Sequence, residues 1–122
     1  MRRGIRALLE DEPDLEICGE ASNGAEGLEK EAELRPDLII MDLSMPGVGG
    51  VSAAHRIKQS GSSAKILVFT NQELAGVERI VRLSGCEGVV LKANASRDLL
   101  LGIRTVLKGR KFYPGLAKAP GA

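Results

Sequence analysis

Asp37-Leu38-Ile39-Ile40-Met41-Asp42, running directly into Leu43-Ser44-Met45-Pro46-Gly47, decides the fold of this 122-residue chain. Four consecutive apolar residues between two acids make a short strand with no polar face, the pattern of a parallel strand covered on both sides. The Pro/Gly segment ends it and leaves Asp42 at the carboxyl end, where open α/β sheets place their ligand chemistry. Asp42 is therefore a candidate nucleophile. Its plainer reading is a turn former ahead of Ser44 and Pro46.

Outward from this strand, elements alternate. Toward the N-terminus, Ile5, Leu8 and Leu9 make a helical stripe ended near Pro13, Leu15 to Ala21 alternates as a strand, and Ser22-Asn23-Gly24 opens a second helix. Ala25, Leu28 and Ala32 mark one face of that helix, which Pro36 closes. Toward the C-terminus come a helix on Val51, Ala54 and Ile57 ended by Gly61, and the buried strand Lys65 to Thr70. A helix with Leu74, Val77, Ile80 and Val81 inward, the strand Gly88 to Lys92, and a last helix capped by Ser96 and carrying Leu99, Ile103, Val106 and Leu107 complete the series. Such alternation predicts a flavodoxin-like, doubly wound parallel sheet with helices on both faces, here of four strands and five helices. One domain over residues 1–110 is expected, with residues 111–122 as a linker tail marked by Pro114, Gly115, Pro120 and Gly121.

Composition removes several classes of function. Lys and Arg number 17 against 16 Asp and Glu, so a net charge of +1 leaves no basic footprint for nucleic acid. Cys18 and Cys86 stand apart and lack His at ligand spacing, which predicts buried, reduced thiols rather than zinc or a disulfide. Acidic residues interrupt the start before any apolar stretch of signal-peptide length, and no run approaches a membrane span. A soluble cytoplasmic protein without membrane partners is expected.

Three strands end in polar residues: Asp42, Thr70 and Lys92. In a parallel sheet the carboxyl ends share one edge, so an acid, a hydroxyl and an amine converge although they are far apart in sequence. A carboxylate can accept a phosphoryl group as an acyl phosphate, a lysine can pair with its oxygens and a hydroxyl can hydrogen-bond to it. With Met41-Asp42-Leu43-Ser44-Met45-Pro46, Val68-Phe69-Thr70-Asn71 and Val90-Leu91-Lys92-Ala93 in this order, the chain resembles the receiver domain of two-component response regulators, more narrowly the NarL/FixJ type. The resemblance implies that Asp42 is the phosphoacceptor for a histidine kinase, that Thr70 is the switch hydroxyl and that Lys92 pairs with the phosphoryl group. It implies a Mg²⁺ ion held by Asp42 and the backbone carbonyl of Ser44. The output is then a changed surface, made by biasing the helix from about Gln72 to Leu83, rather than a reaction product.

Departures from the family pattern carry their own expectations. Members begin with a further strand ending in two acidic residues that complete the metal site; here only Met1 precedes Arg2. In the order 2-1-3-4-5 that strand would lie between the strand near Ile17 and the strand near Ile39, leaving a gap of approximately 10 Å, two open edges and a weakened Mg²⁺ site. Arg2 and Arg3 at an uncapped helix start suggest that the natural product begins upstream of Met1. Glu10, Asp11 and Glu12 belong to the far end of the first helix and are poor substitutes for the acidic pair. Val89 stands where many receivers carry an aromatic switch, and Ala93 replaces a proline.

Other readings are plainer. His55 reads as a solvated helix residue, and Gly47, Gly49 and Gly50 give the loop room without a phosphate-loop pattern. The last helix is apolar beyond one stripe, so Leu101 or its neighbours face either a wide core or a homodimer partner. A phosphorylation-independent pseudo-receiver, serving dimerisation or protein interaction, is the alternative function. A flavin or nucleotide enzyme fits less well, because two Phe, one Tyr and no Trp leave little to stack on a ring.

Overall fold

The computed structural model describes residues 2–21, 24–42, 50–70 and 85–113; of residues 2–4, 24 and 50–52 the backbone alone is described. Within these, α1 (Arg2–Leu9), α2 (Gly24–Leu34), β1 (Leu38–Asp42), α3 (Gly50–Gln59), β2 (Lys65–Thr70), β3 (Gly88–Leu91) and α4 (Ala95–Leu107) follow in turn, with a 3-10 turn at Lys92–Asn94. The strands are parallel in the order β1-β2-β3. Asp42 is in register with Phe69, and Thr70 with Leu91.

Period-two alternation sorts the strand side chains onto two faces. Ile39, Met41, Ile66, Val68 and Val89 pack with Ala53, Ala54 and Ile57 of α3 and with Leu28 of α2. Leu38, Ile40, Leu67, Phe69 and Val90 pack with Leu9 of α1 and with Leu99, Ile103 and Val106 of α4. A sheet covered on both faces needs an apolar residue at every strand position, which is why the strands lack polar alternation. Ile66 to Phe69 are wholly buried, and at roughly 1.5–3 kcal/mol of transfer free energy per side chain β2 is the main stabilising strand. Gly61 ends α3 at φ +84°, in the left-handed region that a side chain rarely adopts.

The fold class holds, but the element count differs. Four strands and five helices are expected; the described residues contain three strands and four α-helices. The helix expected from about Gln72 to Leu83 lies outside the described residues. The segment from Leu15 to Ala21 is described and is not a strand. Leu15 and Ile17 do pack against the same apolar cluster as Leu38 and Ile40, and Arg6 pairs with Glu20. A strand nevertheless requires a neighbour for its backbone groups, and among the described residues β1 is laddered to β2 alone. As the edge of the described sheet, β1 is half-buried except at Met41.

The structure also differs from expectation at single residues. Of the stripe Ala25, Leu28 and Ala32, only Leu28 meets the core, and both alanines are exposed. Ser96 does not cap the last helix: the 3-10 turn takes up Lys92–Asn94, Asn94 is the capping position and α4 starts at Ala95. Cys86 is buried as read, whereas Cys18 is exposed. Phe112 and Tyr113, which composition places in the tail, run beside β3 through a parallel bridge between Phe112 and Gly88.

Candidate functional site

Parallel strands bring their carboxyl ends to one rim, and there Asp42 ends β1, Thr70 ends β2 and Lys92 is the first residue past β3. Lys92 reaches across the middle strand and donates through Nζ to Asp42 Oδ2 at 2.9 Å. Its ammonium also lies 5.9 Å from the ring centroid of Phe69, the residue in register with Asp42. A ring face near a cation attracts it through the quadrupole of the π-system. The side chains of Lys92 and Asp42 are 13% and 26% exposed, so each charge gives up part of its hydration and is compensated by the other.

Thr70, the last residue of β2, is buried at 2% exposure. By alternation it follows Ile66 and Val68, whose side chains lie on the α3 face. Asp42 follows Leu38 and Ile40 toward α1 and α4. The structure thus joins Asp42 to Lys92 and places Thr70 at the end of the central strand between them. Chemically, a carboxylate at such a rim can serve as a nucleophile, an ammonium as its counter-charge and a hydroxyl as a donor to an oxyanion.

Ser44, expected to offer its carbonyl to a metal, lies outside the described residues. Among the described residues no group of three or more His, Cys, Asp or Glu side chains gathers as a metal site. Mg²⁺ demands a near-octahedral set of oxygen ligands, and Asp42 by itself does not make one. The acids that follow α1 do not supply the deficit. Glu12 and Asp14 each pair with Arg104 at 2.7 Å, near the end of α4 remote from Lys92. That guanidinium, chiefly through its hydrogen bond, holds the Asp14 carboxyl below the usual carboxylate range. His55 is exposed on α3.

Phe69 is the site residue that pattern reading passes over. In the sequence it is one apolar residue of a buried strand, and only the register between β1 and β2 places it opposite Asp42 and near the Lys92 ammonium. Its one local signal is that it immediately precedes Thr70.

The family model of the response regulator receiver domain matches residues 1–104. The nitrate/nitrite response regulator protein NarL of Escherichia coli (strain K12) is 36% identical over 111 residues, covering 89% of this chain and 50% of that protein. The transcriptional regulatory protein LiaR of Bacillus subtilis (strain 168) is 38% identical over 109 residues, covering 89% of this chain and 52% of the relative. The chain thus spans about half the length of the curated relatives it matches. Among solved structures, a LuxR-family two-component response regulator from Aurantimonas sp. SI85-9A1 superposes with a TM-score of 0.89 at 32% identity, over 96% of this chain and 84% of that one. The non-phosphorylated receiver domain of the stress response regulator RcsB from Escherichia coli gives 0.83 at 31%, over 93% and 88%. The chain belongs to the response regulator receiver domain family, with NarL- and LuxR-type regulators as its relatives.

Proposed function

We propose that this chain is the phosphoacceptor module of a cytoplasmic two-component regulator, taking a phosphoryl group from a histidine kinase onto Asp42 and passing on a changed surface that controls transcription. The observation that carries this reading is the Lys92 ammonium held 2.9 Å from the Asp42 carboxylate at the carboxyl rim of a parallel sheet. In the transfer, a carboxylate oxygen of Asp42 forms the new bond to phosphorus as the bond to the donor's histidine nitrogen breaks. The product is an acyl phosphate. Lys92 then exchanges a carboxylate partner for a phosphoryl oxygen, and the Thr70 hydroxyl donates to another.

Mg²⁺ supplies charge neutralisation at such sites when it is bound, and this reading assigns Asp42 and the Ser44 carbonyl to it. The described side chains make only part of that shell, so the roles of Asp42, Thr70 and Lys92 rest on their own charges and donors. Acetyl phosphate with Mg²⁺ is the direct test. The intact mass is expected to rise by one phosphoryl group in the parent chain and to stay unchanged in Asp42→Asn; an unlabelled parent chain, or a labelled variant, refutes the assignment.

A second reading is favoured by Leu101, 55% exposed on α4: a phosphorylation-independent receiver that pairs with a second copy of itself. Sedimentation that depends on concentration but not on phosphodonor supports that reading over the first.

A further inference from the structure

We infer that residues 110–113 form an output strap, which fastens the departing chain to the strand that delivers Lys92, so that a change at the Asp42–Lys92 pair alters how firmly Phe112 and Tyr113 are held. The strap behaves as a short parallel strand. Phe112 donates its backbone N–H to the Glu87 carbonyl at 3.0 Å and accepts from the Val89 N–H at 2.9 Å. Its side chains alternate as those of a strand do: Phe112 packs with the α1/α4 face of the sheet, and Tyr113 with the α3 face.

Two glycines open the seat. A Cβ on Gly88 of β3 would stand 2.7 Å from the Phe112 carbonyl oxygen and 3.0 Å from its Cβ. On Gly102 of α4 it would meet the Phe112 ring at 3.1 and 3.2 Å. Tyr113, 8% exposed, donates its hydroxyl to the carbonyl of Cys86, two residues before β3. The base itself is anchored, since Glu87 accepts from the Ile66 N–H and from Lys58 Nζ, both at 2.7 Å.

These contacts place the strap at one end of β3 and Lys92 at the other. Only four residues, Gly88–Leu91, lie between, about 13 Å of extended chain at the usual rise per residue. Packed cores do not deform continuously; a short strand clamped on both faces shifts as a unit. A group that draws Lys92 from Asp42 therefore pulls on the strand whose base holds the strap.

This inference deepens the phosphoacceptor reading and rests on it in one arm of its test. Amide hydrogen exchange of the 122-residue chain, read by mass spectrometry on peptides covering 110–113, measures the strap directly. In the first arm acetyl phosphate and Mg²⁺ are added: phosphorus leaves its bridging oxygen, bonds to an Asp42 carboxylate oxygen and releases acetate, while intact mass reports the modification. In the second arm the pair is broken without phosphate, by Lys92→Met and separately by Asp42→Ala, each checked for its fold by circular dichroism. Exchange at 110–113 is expected to change about fivefold or more in both arms, the lower end of ordinary site-to-site coupling. Tyr113→Phe, which keeps the ring and loses the donor, is expected to weaken that response. Unchanged exchange at 110–113 in modified chain, or in either folded variant, overturns the strap. If Asp42 stays unmodified, the phosphoacceptor reading fails on its own and the second arm decides the strap.

Discussion

In the proposed phosphoacceptor role Lys92 suits its place because an ammonium on a flexible stem is a compact point charge that can trade one oxyanion for another, whereas a guanidinium would be held by fork geometry. At the same scale the two cysteines should behave as opposites. Burial, and to a lesser degree the Glu87 charge, pushes the Cys86 thiol up to about 12 from its usual 9.0. In the unfolded chain the thiol ionises first, so folding stability contributed by the neutral thiol is present below the usual value and is lost as pH rises toward about 12. Urea melts at neutral pH and at about pH 10 should show a fall in stability that Cys86→Ala makes shallower. A thiol reagent should label exposed Cys18 in the native chain and reach Cys86 only on unfolding; equal labelling of both would contradict the burial of Cys86.

At the scale of elements, α4 separates core from surface within three consecutive leucines. Leu99 is wholly buried, Leu100 is half-buried and Leu101 faces out, because successive helix residues are turned by about 100°. Leu99→Ala should cost about 2–5 kcal/mol, the sum of lost transfer and a cavity among Phe69, Val90 and Ile103. Leu101→Ala should stay within about 0.5 kcal/mol. Chemical denaturation decides both, and a large loss for Leu101→Ala in dilute chain would place that side chain in the core. The same element explains how the helices cover the sheet: β1-α3-β2 lays α3 on one face, while α4 after β3 takes the other.

Across the whole molecule, Arg104 joins α4 to the segment that follows α1 through Glu12 and Asp14, tying together parts remote in sequence. Asp14 has a lowered pKa in the fold, so its contribution is present above the usual 3.8 and is lost as pH falls through the lower, folded value. These groups are solvated, and salt at about 1 M should screen most of the effect. Acid titration followed by circular dichroism should find Arg104→Ala unfolding at higher pH than the parent chain at low salt, with the two curves converging at high salt. Identical curves at low salt would mean that this clasp adds nothing.

Much of the fold is legible from local pattern. The apolar runs 38–41 and 66–69 declare strands covered on both faces, and the stripe Leu99, Ile103 and Val106 declares a helix, because period and hydrophobicity are properties of adjacent residues. The polar ends Asp42, Thr70 and Lys92 follow from those strands once they run parallel. Leu15 to Ala21 misleads for a physical reason: alternation describes side chains, but a strand exists only where another backbone answers its N–H and C=O groups. Exposure of Cys18, Ala25 and Ala32, the placement of Phe69 near Lys92 and the docking of Phe112 and Tyr113 likewise depend on partners distant in sequence. The chain by itself determined the βα order and the residues at its rim; tertiary structure alone decided which of them touch, because a 2.9 Å contact between residues 42 and 92 is set by strand register and the packing of both faces.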